Sequence, residues 1–254
     1  MLKNPGLARL RAGELTIGPL LNFDSPDLAE YTAHLGLDWV WLDWQHGQYS
    51  EQTLINSIAR FLGTDTVPIV RVKSHEPGTI NRVLDMGAMG VVVPMVQSAA
   101  EARAITQAVY YPPRGMRSGG GVRLGLVGGN GPARYFAEAN DAIMLVVMVE
   151  TEQAIANVEA IMGVSGVSVV LIGPGDLMID VKARNHDEAH HERLVQRVAD
   201  ASARTGVPAG YVCRGADQLR RRVAQGFRFL QYGSDYSIVV KGFEEYLEDV
   251  RGLR

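Results

Sequence analysis

AIMLVVMVETEQAIANVEAIMGVSGVSVVLIGPGDLM, from Ala142 to Met178, is the stretch that indicates how this chain folds. It contains two short apolar runs, Ile143–Val149 and Val167–Ile172, which are separated by apolar residues at helical spacing. Continuous Val, Ile and Leu runs of this length are typical of parallel strands that are buried on both faces. A helix between two such strands forms the crossover that parallel pairing requires. The stretch therefore predicts a strand–helix–strand unit of a parallel α/β protein.

An acidic residue follows each of the two predicted strands. Glu150 comes directly after the first apolar run, and Asp176 comes shortly after the second. Because parallel α/β proteins bind ligands at the carboxyl ends of their strands, we expect both carboxylates at the same rim. Carboxylate oxygens are the ligands that Mg²⁺ and Mn²⁺ prefer, so the pair predicts a divalent metal site. The alternative is a pair of acids at helix N-termini, which suits Glu150 because Thr151 follows it.

The turn that contains Asp176 has a second feature. It reads IGPGD over residues 172–176, and its glycines leave backbone N–H groups accessible. Backbone N–H groups at such a turn bind anions, so we expect it to hold a small carboxylate beside the metal.

The same alternation of strand and helix runs along the chain. The sequence predicts eight strands, at residues 15–23, 38–44, 67–72, 90–96, 142–149, 167–172, 208–213 and 227–232. It predicts eight helices, several of them after a Ser N-cap, at residues 26–35, 51–62, 78–86, 99–110, 151–162, 187–205, 216–225 and 238–251. Eight such units indicate a (β/α)₈ TIM barrel, whereas an open doubly wound sheet more usually has about six strands and a glycine-rich first turn. No low-complexity linker divides the chain, so we expect one domain over residues 1–254.

Composition excludes several classes of function. The net charge is −3 and the pI is about 6.1, so the chain lacks the basic character that binding to nucleic acid or an anionic membrane requires. The sequence shows neither a signal-peptide core nor an apolar run near the ~20 residues of a membrane span. The single cysteine, Cys213, permits no internal disulfide, and we expect a buried, unreactive thiol there. These features predict a cytoplasmic protein that acts on a small molecule.

Two further strand ends carry groups for acid–base and anion chemistry. The second strand ends in LDWQHG, residues 42–47, which places Asp43 and His46 together at the rim. In an acid–imidazole pair the carboxylate fixes the ring tautomer, so His46 would act as a general base; the alternative is a histidine that caps a turn. The third strand ends in Arg71, either an ion-pair partner of rim carboxylates or a group that binds a substrate oxyanion. Trp44 either packs the second strand or lines the pocket.

The long glycine-rich loop Pro112–Gly131 contains Arg114, Arg117 and Arg123. It is much longer than the connections of a few residues that are usual in such units. One interpretation is a functional lid or substrate-side loop whose arginines meet an acid. The other is a mobile crossing segment or a subunit contact.

Six motifs are spread in order over nearly the whole chain. They are LDWQHG at 42–47, PIVRV at 68–72, NRVLDMGAMGVVVPMVQSAAEA at 81–102, YPPRGMRS at 111–118, VMVET at 147–151 and IGPGDLM at 172–178. Together they resemble the HpcH/HpaI family of metal-dependent class II pyruvate aldolases. This family includes 4-hydroxy-2-oxoheptanedioate aldolase and 2-dehydro-3-deoxyglucarate aldolase.

The resemblance implies a fold, an assembly and a reaction. The fold is a (β/α)₈ barrel of the phosphoenolpyruvate/pyruvate-domain type, often assembled as a homohexamer, a trimer of dimers, with the last helix, 238–251, exchanged between neighbours. The reaction is the reversible cleavage of 4-hydroxy-2-oxo acids to pyruvate, or hydroxypyruvate, and an aldehyde through a metal-stabilised enolate. The metal ion is divalent, Mg²⁺, Mn²⁺ or Co²⁺.

The resemblance also assigns roles to residues at the rim. It implies that Glu150 and Asp176 hold the metal ion, and that the backbone of Gly175 and Asp176 receives the pyruvate carboxylate. It implies that Arg71 faces the carbonyl oxygen of pyruvate, where it and the metal would stabilise the developing negative charge. His46, with Asp43 as its acid partner, would move the proton of the aldol hydroxyl through a water.

Two positions depart from the common pattern of the family. Gln45 stands where members commonly carry Glu, and Met148 stands where they often carry Gln. We expect both, with Trp44, to line the substrate pocket. Two other functions stay open: a related enolate-forming lyase that acts on an acyl-CoA thioester or decarboxylates oxaloacetate, and a non-enzymatic scaffold that binds 2-oxo acids.

Overall fold

Eight parallel strands form a closed barrel in this computed structural model, which describes residues 2–129 and 131–253. In chain order they are β1 Thr16–Leu21, β2 Trp39–Asp43, β3 Val67–Arg71, β4 Gly90–Val93, β5 Met144–Val149, β6 Val169–Ile172, β7 Ala209–Cys213 and β8 Phe229–Ser234. Each strand pairs in parallel with the next, and β8 pairs in parallel with β1. The predicted TIM barrel is confirmed.

Helices surround the barrel and connect its strands. Within the described ranges they are α1 Pro5–Arg11, α2 Pro26–Ala33, α3 Glu51–Ala59, α4 Pro77–Asp85, α5 Ala99–Val109, α6 Leu124–Val127, α7 Pro132–Ala142, α8 Glu152–Ala156, α9 Val158–Met162, α10 Pro174–Ala183, α11 Glu188–Thr205, α12 Ala216–Ala224 and α13 Asp235–Arg251. The eight predicted helices are present, one of them divided into α8 and α9 at Asn157. The structure adds α1, α6, α7 and α10, which have Pro or Gly in their first turns and so resemble loops in the sequence. None of the described helices has the length and apolar character needed to cross a membrane.

Strand side chains are buried both inside the barrel and beneath the helices. All residues of β2, β4, β5 and β6 are buried, which explains why these strands read as continuous apolar runs. At the amino end, Trp39 stacks on Phe229 with 4.2 Å between ring centroids. A Cβ atom at Gly18 would lie 2.3 Å from the Trp39 ring, so this position needs glycine.

The buried carboxylate of Asp235 links the two strands where the barrel closes. It accepts hydrogen bonds from the backbone N–H groups of Asn22 and Phe23, at 2.8 and 2.7 Å. The side-chain amide of Asn22 donates a third hydrogen bond to it, at 3.0 Å. Because Asp235 begins α13 directly after β8 and Asn22 follows β1, one side chain connects the first strand, the last strand and the final helix.

The long loop Pro112–Gly131, of which residue 130 lies outside the described residues, is at the amino end of the barrel. It connects the end of α5 to α7 and then to the start of β5, and Arg123 donates a hydrogen bond to a backbone carbonyl just before β4. The side chain of Arg117 is fully buried and pairs with Asp85 at 2.8 Å. The hypothesis of a lid over this chain's own carboxyl rim is therefore wrong. A subunit contact, the other interpretation, stays open.

Candidate active site

The ends of two pairs of adjacent strands, β2 with β3 and β5 with β6, bring the predicted residues to the carboxyl rim. Asp43 and Arg71 are the last residues of β2 and β3, Glu150 follows β5, and Asp176 lies in the first turn of α10 after β6. The strand register sets Asp43 opposite Arg71 and aligns the last residues of β5 and β6. Backbone pairing therefore decides which side chains meet, independently of any mobile loop.

Asp43 and Arg71 form a two-point ion pair. Nε and Nη2 of Arg71 donate to the two carboxylate oxygens of Asp43, at 2.9 and 2.5 Å, and Asp43 is only 1% exposed. The same carboxylate accepts the backbone N–H groups of Gln45 and His46, at 3.1 and 3.2 Å. Among the described residues, the ring of His46 makes no hydrogen bond to Asp43. The predicted acid–imidazole pair is thus replaced by an arginine–carboxylate pair, because the ends of β2 and β3 are in register.

His46 lies exposed in the turn after β2, at the mouth of the barrel. A Cβ atom at Gly47 would lie 2.1 Å from the backbone carbonyl of Asp43, so only glycine permits the chain to fold back this closely. Trp44 is buried, and the ammonium group of Lys73 lies 4.4 Å from the centre of its ring. The turn therefore leaves the imidazole exposed to solvent, two residues after a buried tryptophan whose ring contacts a lysine ammonium group.

Glu150 is buried, with 2% of its surface exposed, and lies beside a second acid. Its Oε2 atom accepts the backbone N–H of Met95 at 2.7 Å, and Met95 adopts the left-handed φ of 55°. The carboxyl group of Asp176 is within hydrogen-bonding reach of it. Burial raises the pKa of Glu150 to about 7, with a further increase from the charge of Asp176, while the N–H of Met95 and the charge of Arg71 oppose the shift.

Two glycines shape the turn between β6 and α10. A Cβ atom at Gly173 would lie 2.2 Å from Oε1 of Glu150, so this glycine makes the space that the carboxylate occupies. Gly173 is the N-cap of α10, and its carbonyl accepts the first helical hydrogen bond from the N–H of Leu177, at 3.1 Å. The N–H groups of Gly175 and Asp176 therefore lie in the first turn without helical partners, as anion-binding groups do.

The donor set at Glu150 and Asp176 fits a hard divalent cation. The carboxyl groups of Glu150 and Asp176 repel each other when both are ionised. Glu150 is also buried, and its carboxylate occupies the space that a side chain at position 173 would need. A cation between them would remove this repulsion. One or two carboxylates together with substrate oxygens and waters are the ligands that Mg²⁺ usually has in enzymes.

Gln45 and Met148, the two departures from the family pattern, lie close to these groups along the chain. Met148 is buried two residues before Glu150 on β5, and alternation along the strand directs both side chains into the barrel. Its backbone carbonyl accepts the N–H of Val96 at 2.9 Å. Gln45 is half-buried in the turn after β2. Met148 thus places a buried apolar side chain next to Glu150 on the same face of β5.

Arg214 is a rim residue that the sequence analysis did not single out. It follows β7, it is exposed, and its Nη2 atom lies 3.7 Å from the Cβ position of Gly175. In the part of the chain that the structure describes, it pairs with no carboxylate. A charged residue at the end of an apolar strand is the sequence feature that points to Arg71, and the same feature is present at Arg214. The preceding Cys213 is buried, and burial raises its pKa to about 11, which agrees with the expected unreactive thiol.

Comparison with known proteins gives one consistent family. Residues 17–241 match the family described as HpcH/HpaI aldolase/citrate lyase. The 4-hydroxy-2-oxovalerate aldolase of Novosphingobium aromaticivorans is 37% identical over 242 residues, which are 92% of this chain and 90% of that protein. The hydroxypyruvate/pyruvate aldolase of Pseudomonas aeruginosa is 32% identical over 247 residues, 96% of this chain and 91% of that protein.

Solved structures agree with this result. The crystal structure of an HpcH/HpaI aldolase/citrate lyase family protein from Burkholderia cenocepacia J2315 superposes with a TM-score of 0.89 at 26% identity. The superposition covers 98% of this chain and 100% of that chain.

Proposed function

The chain belongs to the HpcH/HpaI aldolase/citrate lyase family and is a carbon–carbon lyase, and from this premise we propose that it is a divalent-metal-dependent aldolase. It would cleave 4-hydroxy-2-oxo acids reversibly to pyruvate, or hydroxypyruvate, and an aldehyde through an enolate. The observation that carries the proposal is the contact between the Glu150 and Asp176 carboxyl groups at the rim that also holds the Asp43–Arg71 pair. The names of the two aldolase relatives support this class of substrate.

Glu150 and Asp176 would hold the divalent cation, Mg²⁺, Mn²⁺ or Co²⁺, whose contribution is to polarise the carbonyl group of the 2-oxo acid. Glu150 must be ionised for this task. Its pKa near 7 in the metal-free protein means that binding of the cation releases a proton over the neutral range.

Arg71 would stabilise the negative charge that develops on the carbonyl oxygen as the 2-oxo acid becomes an enolate. Asp43 takes two of its N–H groups and so fixes the plane of the guanidinium. The Nη1 group makes no hydrogen bond within the described ranges and is available to the substrate. A fixed donor of this kind contributes about 10²- to 10³-fold to a rate.

The substrate carboxylate would lie on the N–H groups of Gly175 and Asp176. The guanidinium of Arg214, close to Gly175, would add a charge-assisted interaction. Together with Arg71 these groups would orient the substrate across the mouth of the barrel. The C3 atom, where the carbon–carbon bond breaks, would then face the turn that carries His46.

His46 would take the proton of the C4 hydroxyl group, through a water, during cleavage and return it during synthesis. Its exposed position at the mouth suits exchange of that proton with solvent. Because the Asp43 carboxylate is occupied by Arg71, we propose that Asp43 positions the arginine and the turn rather than the imidazole ring.

The experiment that tests the proposal is deuterium exchange at the methyl group of pyruvate, followed by proton NMR in deuterium oxide with Mg²⁺, Mn²⁺ or Co²⁺. Enolate formation is the step common to all proposed substrates. We expect exchange with the parent protein, none after chelation, and none with Glu150→Gln. Glu159→Gln, which changes an exposed acid paired with Arg204, is the matched control and should exchange normally. Failure of the parent to exchange with any of the three metals would refute the aldolase.

An acyl-CoA substrate has less support. The basic loop that a CoA phosphate would need lies at the opposite end of the barrel, with Arg117 buried against Asp85 and Arg114 paired with Asp141 at 2.7 Å. The non-enzymatic scaffold is set aside because the chain is a lyase. Titration with CoA thioesters and assays of oxaloacetate decarboxylation would separate the remaining lyase reactions from the proposed one.

We also propose that α13 is exchanged between neighbouring single-domain subunits of a homohexamer. The helix leaves six apolar side chains 37–64% exposed, namely Ile238, Val239, Val240, Phe243, Tyr246 and Leu247. An exposed apolar surface of this extent usually marks a protein interface. A second copy of the chain is the partner that the family resemblance implies.

A further inference from the structure

Glu152, His186 and His190 form a cluster of metal-ligand type outside the site described above. Glu152 begins α8, two residues after Glu150, while His186 lies just before α11 and His190 lies in its first turn. His186 lies outside the helix, and the turn before α11 brings its ring to 4.2 Å from that of His190, measured between centroids. The sequence alone does not indicate this group, because its carboxylate comes from a different strand–helix unit.

The three side chains already contact one another. Nδ1 of His186 lies 2.7 Å from Oε1 of Glu152, and Nε2 of His190 lies 3.2 Å from the same oxygen. The imidazole centroids are 4.2 Å apart, and one ligand atom from each residue lies within 4.8 Å of the others. Tetrahedral Zn²⁺ with bonds of about 2.0–2.2 Å separates its donors by about 3.3–3.6 Å. Small side-chain rotations would therefore place all three donors on one ion.

Nε2 of His190 is buried and has no hydrogen-bond partner among the described residues. Oε1 of Glu152 lies 3.2 Å from this nitrogen, which is close enough for an ion pair. The oxygen is, however, poorly aligned with the N–H direction of the ring for a hydrogen bond. A buried ring nitrogen whose nearest oxygen is poorly directed is incompletely satisfied, and a metal–nitrogen bond at this atom would satisfy it.

The backbone beneath the cluster is anchored on both sides. The N–H of Glu152 donates to Oδ2 of Asp180 on α10, at 2.8 Å. The N–H of His190 donates to the N-cap residue Asp187, also at 2.8 Å. These hydrogen bonds hold the carboxylate and one imidazole in position before any ion arrives, which favours binding.

We propose that Glu152, His186 and His190 bind a transition-metal ion of the Zn²⁺ class, separate from the hard-cation site at Glu150 and Asp176. Two imidazoles and one carboxylate suit Zn²⁺, Ni²⁺ or Cu²⁺, whereas an all-oxygen site suits Mg²⁺. The bound ion would link the start of α8 to the start of α11. It would thereby connect the two segments that follow the proposed catalytic ligands and stabilise that side of the rim.

Arg193 should weaken the binding of Zn²⁺ through His190, and its replacement therefore tests the proposal. Its Nη2 atom lies 3.3 Å from Nδ1 of His190, and because arginine has no acceptor, Nδ1 must accept. The neutral ring then carries its proton on Nε2, the atom that faces Glu152. Coordination through Nε2 requires the proton to move to Nδ1, where it would meet the guanidinium. We therefore expect Arg193→Ala to bind Zn²⁺ more tightly than the parent.

The experiment uses the full chain with Glu150→Gln and Asp176→Asn, which disables the hard-cation site. After removal of metal with a chelator, the protein is titrated with Zn²⁺ by calorimetry and with Co²⁺ by visible absorption. We expect one ion per chain and a tetrahedral Co²⁺ spectrum. No Zn²⁺ binding in this variant would overturn the proposal, and this result is independent of whether the aldolase reaction occurs.

Variants in the same background locate the site. His186→Gln and Glu152→Gln should each weaken Zn²⁺ binding by at least about tenfold, the loss that follows even from removal of an outer-shell partner. His34→Gln, which changes an exposed histidine at the end of α2, is the control and should bind as the parent does. Thermal unfolding in chelator verifies that each variant is folded, and Zn²⁺ should raise the unfolding temperature only where the cluster is intact. Unchanged binding in His186→Gln, or weaker binding in Arg193→Ala, would overturn the assignment.

Discussion

Arg71 binds Asp43 through two parallel hydrogen bonds across the ends of adjacent strands, in the register that pairs β2 with β3. The carboxylate fixes the plane of the guanidinium and balances its charge, while Nη1 makes no hydrogen bond to any residue that the structure describes. An arginine fixed in this way is already oriented before substrate binds, which is the condition for strong electrostatic stabilisation.

Replacing Arg71 with lysine should lower kcat by about 10²- to 10³-fold, because a single ammonium group has no rigid fork to orient on both oxygens of Asp43. The measurement is steady-state aldol cleavage with separate kcat and KM values. Arg82→Lys, which alters an exposed arginine paired with Glu51, should leave both constants unchanged. Equal kcat values for the two variants would refute the role of Arg71.

The raised pKa of Glu150 predicts how the metal-free protein responds to pH. The group titrates at about 7 when folded and near 4.5 when unfolded, so between these values the native state binds more protons. The free energy of unfolding should therefore fall as pH rises through this range, by up to about 3 kcal/mol.

The measurement is chemical denaturation in chelator at about pH 5 and about pH 8. Relative to Glu150→Gln, the parent should lose stability at the higher pH, whereas Glu159→Gln should follow the parent. Saturating Mn²⁺ should abolish the loss, since the metal binds the ionised carboxylate. A stability difference between parent and Glu150→Gln that does not change with pH would contradict the assigned titration.

Gly173→Ala should weaken binding of the hard cation by about tenfold or more, a loss typical of disturbed outer-shell support. The new Cβ atom would lie 2.2 Å from Oε1 of Glu150 and must displace the carboxylate. Mn²⁺ titration by calorimetry measures the effect. Gly215→Ala is the matched control, because a Cβ atom there meets nothing within 4 Å. Parent-like Mn²⁺ affinity in Gly173→Ala would show that Glu150 is not a ligand.

Arg214→Met should raise the KM for pyruvate by about tenfold or more, in line with the loss of a hydrogen bond to a charged group. The substitution keeps an unbranched side chain but removes the cation beside Gly175. Arg220→Met, at an exposed arginine paired with Asp217 on α12, serves as the control. An effect on kcat alone would place Arg214 at the reacting atoms instead of at the substrate carboxylate.

Phe243→Asp should dissociate the proposed assembly into smaller species, because a charge on the apolar face of α13 would be buried without a partner. Size-exclusion chromatography with light scattering gives the molar mass. Lys241→Ala, on the same helix in an exposed pair with Glu245, should keep the parent mass. If the parent itself is a monomer, the exchange of α13 is refuted.

The barrel and most of the rim could be predicted because both depend on local pattern. Short apolar runs alternate with helical periods, and Asp43, Arg71 and Glu150 each stand at or just after the end of such a run. The position of these acids and the arginine at one rim then follows from parallel pairing. Helix α10 was not predicted because its Gly-Pro-Gly start is also the composition of a turn.

What the sequence left open was the choice of partner within the rim, where an ion pair of Arg71 with a carboxylate is one of two alternatives. Asp43 has His46 three residues away and Arg71 on the next strand, and only the register of β2 with β3 decides between them. The placement of the loop Pro112–Gly131 was a different error. A connection from a helix to the following strand lies at the amino end of any (β/α)₈ barrel. The order of the predicted elements is therefore sufficient to place this loop away from the carboxyl rim.

The carboxylate of Asp235 joins β1, β8 and the beginning of α13, so closure of the barrel and the orientation of its last helix are not independent. If α13 docks on a neighbouring subunit, association of the subunits and closure of the barrel are coupled, and the two occur as one cooperative transition. The midpoint of thermal unfolding should then rise with protein concentration.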